Sequence, residues 1–229
     1  MRITEEPSLT LWMSHRREDR LHFLREFRDI SRHIDEGIPM AYRKCSTVYF
    51  EAPGRANTDL TLELAKTRAD QLGIRHIVVA SSTGVTGVKA SEMFHGYMVV
   101  VVASVVGFSE PNVQRLVPEN RRAIERNGAT VIQSTHAFGT LGRAVNRRFG
   151  AIQIDEIIAH VLRLFGAGTK VACEVSCMAV DAGYLRTDEE AIAIGGTGGG
   201  ADTAIVLQPS NTHTFFETRI KEIICKPRG

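Results

Sequence analysis

Residues 76–87 read HIVVASSTGVTG, an apolar β-branched run that stops abruptly in hydroxyls and glycines. Residues 77–80 have the character of a buried strand, and Ser81, Ser82, Thr83 and Thr86 follow with Gly84 and Gly87 among them. A loop of this composition after a strand suits an anionic group held without a lysine. Its glycines let the backbone come close, and the next helix supplies unpaired N–H groups and the positive end of its dipole. The same residues also suit a helix N-cap with a turn attached, because Ser and Thr are ordinary caps.

Outward from this stretch, apolar runs alternate with helical patterns. Residues 47–51 (TVYFE) read as a strand closed by Pro53-Gly54, and Asn57 or Thr58 then caps a helix reaching Leu72. Leu60, Leu64 and Ala65 share one face of that helix and Gly73 is its stop. Downstream, a helix of about one to three turns precedes Gly96, and residues 98–103 (MVVVVA) have the pattern of a central parallel strand buried on both faces. A helix near 113–127, a strand at 130–133 and a further helical segment after Ser134-Thr135-His136 continue the alternation. Helices at 152–165 and 170–182, strands at 191–194 and 203–207, and an edge strand at 220–225 complete it.

Repeated strand–helix–strand units predict an α/β fold: three layers, α/β/α, around a mostly parallel sheet with right-handed crossovers. Ligands of such sheets bind outside the carboxyl ends of the strands. Three polar loops fall there, at 81–86, 134–139 and 195–202. In the last, Gly196-Thr197-Gly198-Gly199-Gly200-Ala201 matches the G-x-G-x-x-A spelling of a dinucleotide fingerprint. That fingerprint must open a helix, whereas Asp202 and Thr203 begin the strand-like DTAIVL, so a nicotinamide dinucleotide is rejected. The glycines suit either a backbone loop lying against a flat or anionic ligand or a wide hairpin.

Composition excludes several classes. Of the 229 residues 43% are hydrophobic and 24% charged, as in an ordinary globular protein. The formal net charge of +2 is evenly spread, with no basic face, so a nucleic-acid partner is not expected. The start of the chain lacks a signal-peptide layout, and the longest apolar run, 97–108, is too short for a bilayer. A cytoplasmic protein without membrane contact is therefore expected. Cys45, Cys173, Cys177 and Cys225 read as reduced, buried thiols, with no metal site.

Five stretches in order, VYFEAPGRANTDLTLELAKTRA, IVVASSTGVTG, STHAFGTLGRAV, KVACEVSCMAVDAG and AIGGTGGGADTAIVL, resemble a family of stand-alone proteins similar to the carboxyl-terminal α/β domain of pyruvate kinase. The resemblance covers residues 47–229 and leaves 1–46 as an N-terminal helical arm. It implies that Ser81, Ser82, Thr83, Gly84, Val85 and Thr86 form a phosphate loop, with Val85 where such loops often carry a basic residue. The stand-alone family is associated with flavin mononucleotide, so FMN is the implied cofactor. Its phosphate would lie on the 81–86 loop. Its ring would lie against Thr135, His136 and Phe138 and against Gly196, Thr197, Gly198, Asp202 and Thr203. No established reaction comes with the family. The expected function is binding of FMN or a related phosphorylated ligand, with a flavin-dependent enzyme or a non-catalytic metabolite sensor acting through oligomerisation as the two outcomes.

Other candidates carry less. His136, at a strand end, suits a flavin-contacting or catalytic imidazole, or equally a satisfied polar contact. Glu174 and Asp181, seven apart on one helical face, either orient the glycine loop or serve as general bases, with the structural role favoured. Asp202 has the placement to bond the amides of its own loop. In the arm, Leu21, Leu24, Phe27 and Ile34 recur at helical spacing and would be buried on this domain or on another subunit of a homo-oligomer.

Pyruvate kinase chemistry resides in a (β/α)8 barrel of about 250 residues, whereas the α/β domain takes up all 183 residues from 47 to 229. No G-x-x-x-x-G-K-[ST] loop is present to cradle a triphosphate either. A coupled assay for pyruvate formation from phosphoenolpyruvate and ADP is expected to show no saturable turnover. Saturable turnover by protein freed of contaminating kinase would contradict this reading.

Overall fold

Seven strands form one sheet in the computed structural model of the chain, which describes residues 43–229. They are β1 (Val48–Phe50), β2 (His76–Ala80), β3 (Met98–Ala103), β4 (Thr130–Gln133), β5 (Ala191–Gly195), β6 (Thr203–Gln208) and β7 (Arg219–Pro227). Their order across the sheet is β1-β7-β6-β5-β2-β3-β4. All neighbours run parallel except at β6, which is antiparallel to both β5 and β7. Six α-helices accompany the sheet among the described residues: α1 (Thr58–Leu72), α2 (Val85–Met93), α3 (Pro118–Arg126), α4 (Leu141–Phe149), α5 (Ile154–Arg163) and α6 (Ala167–Asp181). Ser46–Gly229 form one compact unit; the expected N-terminal arm helix lies outside the described residues.

The unbroken apolar runs have a two-sided cause. Val99 and Val101 of β3 pack with Leu62 of α1, Ala90 of α2 and Ile124 of α3. Val100 and Val102 face the other way, toward Ala159 of α5 and Ala172 and Met178 of α6. Because both faces of the central strands are covered, neither set of alternate residues is polar. The architecture is thus α/β with helices on both faces of a mostly parallel sheet.

Element ends follow local chemistry. Gly73 adopts φ 70° and closes α1 in the left-handed conformation that glycine accepts most readily. A capping box between Gln153 and Glu156 opens α5. The helix expected near 113–127 begins only at Pro118, its first position. The preceding segment is drawn instead toward the loop after β2, where Val117 N–H donates to the Thr83 carbonyl at 3.2 Å.

β7 is not the edge strand that its sequence suggests. Val48 of β1 pairs alongside Cys225, so β1 takes the edge and the second half of β7 is covered. The expected burial of all four thiols holds for Cys173, Cys177 and Cys225, while Cys45 is exposed. Burial pushes Cys173 and Cys177 up to about 12 and Cys225 to about 11, which leaves them inert as nucleophiles at neutral pH.

Chain order creates one crevice. The chain leaves β2 to build β3 and β4 on one side, then returns to lay β5 against the other side of β2. That reversal is a topological switch point, and the loops after β2 and β5 part there. The β5–β6 loop is pinned by buried Asp202. One carboxylate oxygen accepts the N–H of Gly54 at 2.8 Å and of Thr197 at 3.1 Å, and the other accepts the Thr203 hydroxyl at 2.9 Å. Asp202→Ala strands both amides and is expected to cost about 3 kcal/mol of stability, measured by urea denaturation. A loss within about 0.5 kcal/mol, the range of ordinary surface changes, would show that the pin is dispensable.

Candidate functional site

A cavity of about 600 Å3 opens over the carboxyl edge of the sheet at the β2/β5 switch. The strand ends Ala80, Val102 and Ala103 contribute to its lining. One wall belongs to the α1–α3 face, with Arg55, Thr58, residues 81–83 and the start of α2. The opposite wall carries Arg143 of α4, Arg163 of α5, and Lys170 and Glu174 of α6. Ser104, Phe108 and Arg115 enter after β3, His136 after β4, and Gly196, Gly198, Gly199 and Gly200 after β5.

The loop after β2 is a turn of unclaimed donors. Ser81 is committed to the fold: its amide donates to Val102 O at 2.9 Å and its hydroxyl accepts from Gly87 N–H at 3.0 Å. Ser82 Oγ accepts from the Ser104 hydroxyl at 2.8 Å. Among the described residues, the five amides of Ser82, Thr83, Gly84, Val85 and Thr86 donate to no protein acceptor. Successive free N–H groups at a helix start are the backbone arrangement that receives an anion.

Gly84 has a different task from the close ligand approach expected of it. Its φ is 92°, and a Cβ there would lie 2.8 Å from Leu116 Cδ1 and 2.5 Å from Asn120 Cβ. It is needed so that the turn can pack on the segment leading into α3, and it does not line the cavity. Gly200 serves the second loop similarly. A side chain there would run into Arg55 and Thr58, whose hydroxyl accepts from Ala201 N–H at 3.0 Å. Gly198, with φ 72° and nothing near its Cβ position, leaves its backbone open to the cavity.

On the opposite wall, Glu174 is buried and serves three neighbours. Its carboxylate accepts Lys170 Nζ–H at 2.5 Å and Phe138 N–H at 3.0 Å, and His136 Nδ1 lies 3.7 Å away. The His136 ring stacks on Phe108 with centroids 5.0 Å apart, while its buried Nε2 has no hydrogen-bond partner among the described residues. Burial pushes the Glu174 carboxyl up, but the nearby His136 ring and the Lys170 ammonium outweigh it and hold the group below its ordinary value. Burial draws Lys170 down; Glu174 opposes this, and the Arg163 and Arg143 charges add to it.

Of the residues expected from sequence, Ser81, Ser82, Thr83, Val85, Thr86, His136, Gly196 and Gly198 line this cavity. Gly84, Thr135, Phe138, Thr197, Asp202 and Thr203 do not. Phe138 lines an adjoining chamber of about 220 Å3 together with Gly139, Arg143, Glu156, Ala159, His160 and Arg163. Thr197 and Asp202 hold each other, and buried Thr203 lies against Gly168 at the start of α6. Glu174 orients the β4–α4 loop and not the glycine loop. Asp181 does not touch the glycine loop either; it accepts the Thr212 amide at 3.1 Å, at the start of a short 3-10 helix.

Sequence reasoning missed the cations. Arg55, Lys89, Arg115, Arg143, Arg163 and Lys170 all line the cavity, against the single carboxylate of Glu174. Their signal is positional: most stand within a loop, or a turn of helix, beyond the carboxyl end of a strand. Their even spacing along the chain conceals their convergence. Among the described residues, no group of three or more His, Cys, Asp or Glu side chains could hold a metal ion, and no helix is long and apolar enough to cross a membrane. No family model matches the chain.

The Glu174 environment predicts an acid-side dependence. A depressed carboxyl contributes stability above its ordinary value of 4.5 and loses it as pH falls through the folded value. Glu174→Gln leaves the Lys170 ammonium unpaired and is expected to cost about 3 kcal/mol at pH 7. The gap from the native protein should narrow in urea denaturations as pH falls below 4.5. A gap that does not change with pH would show that the carboxylate charge is not what stabilises this wall.

Proposed function

We propose that the cavity binds FMN or a closely related phosphorylated ligand, with the phosphate on the loop after β2. The observation that carries this reading is the run of five unclaimed amides from Ser82 to Thr86, opening a nine-residue helix on the cavity wall. The hydroxyls of Ser82, Thr83 and Thr86 lie in the same turn, and Arg55, Lys89 and Arg115 add positive charge to the cavity. Charge-assisted donation from amides, hydroxyls and guanidinium groups is the chemistry a phosphate monoester needs.

The rest of the cavity suits a flat ring. A volume of about 600 Å3 falls in the range of cofactor pockets. The stacked Phe108 and His136 rings, separated by 18° in tilt, offer an aromatic surface, and the glycine loop offers bare backbone. The resemblance to the stand-alone flavin-associated family names the same ligand. A bound flavin would supply hydride or electron transfer. The chain's own residues would fix its phosphate, flank its ring and place the His136 imidazole in the cavity with Glu174.

A sensor reading is favoured by one separate observation. Leu141, Phe149, Ile154, Ile157, Val161 and Leu164 are exposed on α4, α5 and the residue after it. These two helices also carry Arg143 and Arg163, which line the cavity, so a cavity wall and an apolar exterior share the same elements. Exposed apolar surface of this kind marks association sites, and a ligand-dependent oligomer would be the signature of this second reading.

Protein purified without added ligand, or reconstituted with FMN, is expected to show flavin absorbance that survives gel filtration. At free FMN about 100-fold above Kd, linkage gives roughly 2.7 kcal/mol of stabilisation. Thr83→Ala removes one hydroxyl donor and is expected to weaken FMN by about 1.5–3 kcal/mol. Riboflavin, lacking the phosphate, should stabilise less than FMN and be indifferent to Thr83→Ala. Equal stabilisation by both flavins, unchanged in the variant, would reduce the loop to a helix cap.

A further inference from the structure

We propose that the cavity holds a second oxyanion subsite, built by Arg143, Arg163 and Lys170 on the wall opposite the phosphate loop, for the carboxylate or phosphate of a small ligand bound beside the first. The inference rests on the reading that the loop after β2 takes the phosphate of the first ligand.

Charge is the first argument. One phosphate monoester brings about −1.5 to −2 at neutral pH, whereas six Lys and Arg side chains face the cavity with one carboxylate. Lys89 is paired with Asp59 at 2.5 Å and Lys170 with Glu174 at 2.5 Å. Among the described residues Arg55, Arg115, Arg143 and Arg163 have no acidic partner. Arg55 stands beside Gly200 and Thr58, and Arg115 precedes Leu116, which packs under the phosphate loop. These two belong to the side of the cavity that carries the phosphate loop, whereas Arg143 and Arg163 stand on the opposite wall.

Placement is the second. The phosphate loop opens α2, on the sheet face covered by α1–α3, while α5 and α6 cover the other face. Arg163 and Lys170 come from that other face, and Arg143 comes from α4, whose Gly142 packs against Asp155 of α5. The cavity therefore has two cationic walls, across the thickness of the sheet from each other. Arg143 and Arg163 also line the adjoining chamber of about 220 Å3, so both residues stand where the two spaces meet.

The third argument is a polar atom without a partner. The stack on Phe108 and the nearby Glu174 carboxylate fix the His136 ring, yet its buried Nε2 bonds to nothing among the described residues. Buried polar atoms are rarely left so, and a turn of the imidazole toward the cavity would bring this one to a ligand oxygen at this wall. The Arg143 guanidinium lies 5.5 Å from the centroid of the same Phe108 ring, which orients its planar fork. Guanidinium forks match carboxylate and phosphate equally well.

The test is calorimetric titration of the full chain, saturated with FMN, with oxalate in one arm and inorganic phosphate in the other. The arm that binds identifies the class of oxyanion. Arg143→Gln with Arg163→Gln is expected to weaken that anion by about 10- to 100-fold, with FMN affinity changed by less than about threefold. Val85→Glu, an exposed change at the first position of α2, should do the reverse by repelling the loop phosphate. Circular dichroism and Arg143→Lys with Arg163→Lys, which keep the charge and lose the fork, guard against a merely misfolded variant. If FMN does not bind at all, the same titrations without it still read the second subsite, which Val85→Glu should leave intact. The proposal is overturned if neither anion binds the native protein, if both anions displace FMN, or if the arginine variant loses FMN and anion alike.

Discussion

The parallel pairing of β5 with β2 is the constraint on which the rest of the cavity depends. Ile77 lies beside Ile192 and Val79 beside Ile194, deep in the sheet and almost wholly buried. These pairs cannot shift by one residue without turning apolar side chains from one helical layer to the other. With the register held, the hydroxyl loop after β2 and the glycine loop after β5 end at the same height. The approach is tight enough that a side chain at Gly195 would lie 3.0 Å from the Ala172 amide. Small residues here are what allow α6 to pack against the end of β5 and carry Lys170 and Glu174 to the cavity.

Electrostatics then set the cavity's character. Five of its six cationic side chains come from loops or helices that begin at the carboxyl side of the sheet, and Arg163 comes from the far end of α5. Bringing them together opposes folding, since like charges in a concave, partly desolvated space repel. Glu174 answers part of that cost by pairing with Lys170 and binding the Phe138 amide, which also holds the β4–α4 loop. The remaining positive charge is the kind of deficit that an anionic ligand removes on binding.

The two glycine-bearing loops show how one residue type serves different ends. At Gly84 and Gly200 the missing side chain makes room for protein, for Leu116 and Asn120 in one case and for Arg55 and Thr58 in the other. At Gly198 nothing protein-borne is near, and the bare backbone faces the cavity. Spelling alone does not separate these roles, which is why the G-x-G-x-x-A match had to be judged by the strand that follows it.

The α/β class, the central strands and the hydroxyl loop are legible in the amino-acid sequence, because these are local matters of β-branched runs, helix stops and turn chemistry. It also placed the candidate loops at strand ends, since the alternation of elements implies a parallel sheet. Relations between distant residues became visible only in the folded chain. The pairing of Val48 with Cys225 turned an expected edge strand into an interior one. The use of Asp202 by Gly54, almost a hundred and fifty positions away, made a supposed ligand contact into a structural pin. The gathering of Arg55, Arg115, Arg143, Arg163 and Lys170 made a cationic cavity from an evenly charged chain. Charge adds along the chain without regard to position, whereas the field in a cleft depends on distance, and distance is set only when the sheet closes.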